Sequence, residues 1–194
     1  MPIVTPDLPP TALDAVRQAL AATGRFPRRP GGALSLSTPH PMFAAPLDRL
    51  AAGDRIADAA ELVGWRALLE EDQRVVAAVE LPGREAGAGG AVVNRSGFVE
   101  STVTTLRGAE RHERAGTERL ELRLLRANAL YLLALWLHPT DGGDDLFFPL
   151  APAPPPLRAE TAYEREPFEN EVAELARSIA SAYQSADRPD ELGG

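Results

Sequence analysis

The chain has 194 residues, a formal net charge of −8, 44% hydrophobic and 6% aromatic residues, and no cysteine. That length and apolar content support one domain with a real core and argue against wholesale disorder. The missing cysteines exclude disulfides, Cys-ligated zinc, iron–sulfur clusters and a thiol nucleophile. The acidic balance lacks the positive field that meets nucleic-acid phosphates or an anionic membrane surface.

All 20 basic residues are Arg. With abundant Ala, Gly, Leu and Pro, this is the composition of a GC-rich bacterial coding sequence, so Arg says little about function. The N-terminus MPIVTPDLPP has no basic stretch followed by an apolar one, so it does not read as a secretory signal. The longest near-apolar run, Ala129 to Leu137, is well short of the roughly 20 residues a spanning helix needs. These features predict a cytoplasmic protein.

Residues 1–10 read as extended, punctuated by prolines. Thr11 with Asp14 predicts a capped start for a helix over Ala12–Ala22, with Leu13, Val16 and Leu20 on one stripe and Gly24 as its stop. Residues 24–46 hold five prolines and three glycines and read as an irregular surface segment anchored by Leu34, Leu36 and Phe43. Leu47–Ala52 predicts a short helix ended by Gly53. Asp54 then caps a second helix through Ile56, Ala59 and Leu62. After Gly64, Trp65–Leu69 and Arg74–Leu81 read as a hairpin around the acidic step Glu70–Gln73. A helix running from Asp54 through Glu71 is the competing reading. Pro82–Gly90 is a flexible loop. Phe98–Glu110 fits a helical stripe and also an alternating strand, with helix favoured.

The densest apolar stretch is Arg119–Leu150. Leu120, Leu122 and Leu124 alternate with Glu121 and Arg123, which predicts a half-buried strand. Arg126–Asn128 marks a bend. Leu130–Leu137 reads as a central strand, and Pro139–Asp145 is a turn. Leu146–Leu150 returns as a short edge strand, which suits Pro149. A single helix from Glu118 to His138 is the rival. Ala151–Leu157 is a polyproline connector. Phe168, Val172, Leu175, Ile179 and Tyr183 predict an amphipathic helix over Pro167–Gln184, and residues 185–194 a disordered polar tail. The expected fold is a single α+β domain over residues 1–184. It has N-terminal helices, an antiparallel sheet of four or five strands, and the C-terminal helix packed on it.

Chemical motifs are sparse. His112-Glu113 begins like a zincin motif, but Gly116 stands where the second histidine is needed. Gly87–Gly90 follows a strand without completing a phosphate-binding fingerprint. Ser35, Ser37, Ser96 and Ser101 have no evident base in sequence. His138 with Asp141, Asp144 and Asp145 could hold a divalent cation, although turn chemistry alone accounts for the aspartates. Trp65, Tyr131 and Trp136 are the candidate lining of a ligand pocket between sheet and helices.

The functional expectation is a non-enzymatic protein–protein interaction or adaptor domain, with segments 24–46 and 151–157 presented to a partner. That partner is a protein, a second copy of the chain included. No nucleic acid, membrane or cofactor is expected. The alternatives are a small-molecule binding domain and an enzyme using His138 with an aspartate of the turn.

Overall fold

The computed structural model of the chain describes residues 3–8, 10–23, 34–83, 90–112 and 118–186. In chain order its elements are α1 (Pro10–Thr23), β1 (Leu34–Ala44), α2 (Leu47–Ala52), α3 (Ile56–Ala59), β2 (Glu61–Glu71), β3 (Arg74–Pro82) and β4 (Val92–Asn94). There follow α4 (Gly97–Glu110), β5 (Leu120–Ala127), a 3-10 turn (Asn128–Leu130), β6 (Leu132–Pro139), β7 (Leu146–Pro149), β8 (Tyr163–Glu164) and α5 (Arg165–Ala186). The strands form one eight-stranded sheet in the order β4-β3-β2-β1-β5-β6-β7-β8. Every pairing is antiparallel except the central β1–β5 pair, which is parallel.

Alternation along the strands splits the apolar side chains between two faces. On one face Leu68, Leu122, Leu124, Leu135 and Phe148 pack with Val99, Leu106 and Ala109 of α4. On the other, Leu125, Trp136 and Phe147 pack with Phe168, Val172 and Ala176 of α5. Further along that second face, Leu69, Ala77, Val79 and Leu81 meet Ala12 and Val16 of α1. A sheet covered on both faces can carry strands apolar on both sides, which accounts for Leu132–Leu137.

The N-terminal segment joins the same framework. The Val4 N–H donates to the Leu120 carbonyl at 2.8 Å, and the Val4 carbonyl accepts the Leu122 N–H at 2.9 Å. It lies beside β5 where β1 has not yet reached it, because β1 pairs with β5 only over Met42–Ala44.

Several expectations change. The irregular reading of residues 24–46 is overturned over Leu34–Ala44, which is a full strand despite Pro39 and Pro41. Both prolines precede the β1–β5 pairing, so no hydrogen bond on that flank is lost. The sheet is larger than four or five strands and is mixed. The helix from Asp54 stops at Ala59, and Leu62 belongs to β2. Gly64 sits inside β2 rather than ending an element. A Cβ there would lie 2.5 Å from the Leu81 carbonyl oxygen, so the bare backbone permits close strand approach. β7 is not an edge, because β8 pairs with Leu146 and Phe147. Pro149 lies past that pairing. α1 begins at Pro10, so Thr11 is inside the helix, and the C-terminal helix runs from Arg165 to Ala186.

The α+β class, helix α4, the two-strand reading of 120–138 and the C-terminal helix agree with the sequence reading. The hairpin turn is Asp72-Gln73, both at positive φ, the two-residue geometry that matches strand twist. The expected loop over 84–89, the glycines at 87–89, Gly116 and the polar tail beyond 186 lie outside the described residues. No helix among the described residues is long and apolar enough to cross a membrane.

Candidate functional site

The end of the β5–β6 hairpin builds the most distinctive surface. β5 leaves the sheet at Ala127, and the 3-10 turn Asn128–Leu130 reverses the chain. Tyr131 closes it in the left-handed region, at φ 52° and ψ 33°, with its N–H on the Asn128 carbonyl at 3.0 Å. Glycine or asparagine suits that conformation, and a bulky aromatic there is strained by roughly 1–3 kcal/mol. The Tyr131 side chain is 85% exposed, so packing does not repay the strain.

Tyr131 stands at the lip of a mostly apolar groove of about 530 Å³. Phe98 from the first turn of α4, Leu133 of β6, and Pro152 and Pro154 form its walls, with Arg126 as its one charged lining residue. The proline wall is pinned rather than loose. The Leu150 N–H donates to the Leu133 carbonyl at 2.8 Å, the Ala151 N–H to Ser101 Oγ at 2.7 Å, and the Leu157 N–H to the Pro154 carbonyl at 3.0 Å.

Arg126 leads into a partly buried charge cluster. Its Nη2 donates to Glu80 Oε2 at 2.6 Å and lies 3.8 Å from Met42 Sδ. Arg66, wholly buried on β2, has its Nε 4.0 Å from the other oxygen of Glu80. None of the three Arg66 guanidinium nitrogens has a hydrogen-bond partner among the described residues. Burial lowers the Arg66 pKa; Glu80 opposes that shift and Arg126 adds to it. His40, opposite Arg66 on β1, is also fully buried. Burial first, and the Arg66 charge second, lower its pKa to about 3, against a raising hydrogen bond between Nδ1 and the Thr38 carbonyl at 2.7 Å. His40 is therefore neutral, and the cluster holds two guanidinium charges against one carboxylate.

The predicted metal group is divided by the structure. His138 Nδ1 meets Asp145 Oδ1 at 2.7 Å, and Asp145 is buried. Asp144 instead accepts Arg165 Nε at 2.7 Å, and Asp141 is exposed. Among the described residues no three His, Asp or Glu side chains gather as a metal site. The predicted ligand residues are also dispersed. Trp136 is buried in the α5-side core, stacked on Phe147 at 5.8 Å, with Arg123 over its ring at 4.8 Å. Trp65 packs against the α1-side cluster. Of the three, Tyr131 lines the groove at the end of the hairpin, and Trp65 and Trp136 are not among its lining residues. Sequence reading missed Arg66, Glu80, Arg126 and Phe98; the signal that could have marked the first three is a charged residue set within an otherwise apolar strand. Compared with known proteins, the chain matches no family model, no curated protein and no solved structure.

Proposed function

We propose that this protein is a docking domain that receives an apolar segment of a partner protein in the groove at Tyr131. The observation that carries this reading is an exposed aromatic held in a strained backbone at the lip of a pre-formed apolar groove. Strain that the fold does not use for packing is the kind retained at binding sites. An exposed tyrosine supplies large contact area at low conformational cost. The pinned wall Leu150–Leu157 presents a surface that need not reorganise on binding.

The test is a selection of random twelve-residue peptides, displayed on phage, against the immobilised protein. Enriched peptides that bind the wild type and lose binding to Tyr131→Ser support the reading. Peptides that ignore this substitution, or no enrichment at all, sink it. The same groove lies within the roughly 300–1,000 Å³ range of small-molecule sites, which keeps a ligand-binding role as the second reading. Catalysis at His138 rests on its hydrogen bond to buried Asp145, a pairing that would orient an imidazole as a general base. His138 is not among the residues lining the groove at Tyr131.

A further inference from the structure

The groove is apolar along its walls, yet its one charged lining residue, Arg126, belongs to a cluster with more positive than negative charge. Glu80 is shared by Arg126 and Arg66, and the charges acting on Arg66 are those of Glu80 and Arg126. Neutral His40 supplies no balance. Arg126 spends Nη2 on Glu80, while its Nε and Nη1 have no hydrogen-bond partner among the described residues. The amino end of α4 adds to the same sign. Phe98 lies in its first turn and lines the groove, whereas Glu100, the acidic residue of that turn, faces a different one.

A guanidinium with unused donors beside an apolar groove, in a cluster of two positive charges and one negative, selects against cations and leaves purely apolar occupants unable to use those donors. Resting on the docking reading above, we infer that the segment received by the groove carries a carboxylate, an aspartate or glutamate side chain set among apolar residues, which pairs with Arg126. The apolar neighbours fill the space between Phe98, Leu133 and the proline wall, and the carboxylate takes the free edge of the guanidinium. A planar two-donor edge matches the two oxygens of a carboxylate. In the bound state the cluster holds two positive and two negative charges, so association removes the excess.

The peptides selected as above, and lost on Tyr131→Ser, provide the test. The expected result is enrichment of sequences with one acidic residue among apolar ones. Replacing that residue by its amide in a synthetic peptide should weaken binding about tenfold or more, the scale of a charged hydrogen bond. Added salt should weaken the acidic peptide and spare the amide one. Arg126→Gln should bring the acidic peptide down to the affinity of the amide peptide. Because the amide substitution is in the peptide, it remains decisive if Arg126→Gln fails to fold. Tyr131-dependent peptides that lack acidic residues, or that bind equally as amides, overturn the inference and leave the docking reading standing. Failure to select any Tyr131-dependent peptide overturns both.

Discussion

Arg66 shows how a single side chain can be costly to the fold that holds it. It is wholly buried, its nitrogens are without hydrogen bonds among the described residues, and its nearest carboxylate is 4.0 Å away and already bonded to Arg126. Desolvating such a charge usually costs more than a long, shared ion pair returns. Arg66→Met should therefore leave stability unchanged or raise it by about 1–4 kcal/mol, since Glu80 keeps Arg126. Glu80→Gln should cost about 3–5 kcal/mol, because two guanidiniums then face each other with no counter-charge. Urea denaturation of both variants separates these outcomes. His40 gives the pH counterpart. Its pKa falls from 6.5 when unfolded to about 3 when folded, so between those values the unfolded chain binds a proton that the folded chain refuses. Its contribution is complete above about pH 6.5 and is lost as the pH falls toward 3, at up to about 1.4 kcal/mol per pH unit. Stability curves of His40→Asn should lack this slope; an unchanged slope would show that other groups cause it.

Among the elements, β1 and β2 depend most on backbone fit. β1 is not paired with β5 before Met42, and over that stretch Thr38 sits at φ 49° with a register shift against β2 between Ser37 and His40. The space alongside β5 is taken by Val4. β2 lies tight against β3 at Gly64, where any Cβ would collide with the Leu81 carbonyl and crowd Met42 Cε at 3.1 Å. Gly64→Ala should destabilise by roughly 1–3 kcal/mol through overpacking, read as a lower urea midpoint. A neutral result would mean that the strands separate there at little cost. The contrast with Gly53 is useful. There φ is +81° with open space around the Cβ position, so a substitution is opposed by conformation and not by packing.

At the scale of the molecule, stability and the proposed binding role make opposite demands on Tyr131. Tyr131→Gly relieves the left-handed strain but increases the entropy of the unfolded chain, so it should leave stability unchanged or raise it by up to about 1 kcal/mol. The same variant should lose every Tyr131-dependent peptide. Thermal melts alongside peptide titration check both halves, and a variant that is clearly less stable yet still binds would contradict the assignment. The groove also draws on distant parts of the chain. Phe98 lies in the first turn of α4, Arg126 is the next-to-last residue of β5, and Pro152 and Pro154 follow β7. The sheet order sets β5, β6 and β7 side by side, and the segment after β7 returns to α4, where the Ala151 N–H donates to Ser101 Oγ.

Local chemistry was enough for much of this. The alternation of Leu120, Leu122 and Leu124, the turn at Pro139–Asp145, the stripe from Phe168 to Ile179, short of the exposed Tyr183, and the β-branched run in β3 each depend on neighbours a few residues away, and each is legible before folding is considered. Tyr131 stood out as an aromatic, but its exposure did not, because exposure is decided by what covers a residue. Proline content concealed β1, since whether a missing N–H matters depends on which flank is paired. His138 and Asp145 were adjacent on one turn and do meet, while Asp144 was drawn away by Arg165, 21 residues along the chain. Arg66, Glu80 and Arg126 lie on three strands and converge only through lateral strand order. That order is set by which apolar faces bury each other, a property of the whole chain that no short stretch contains.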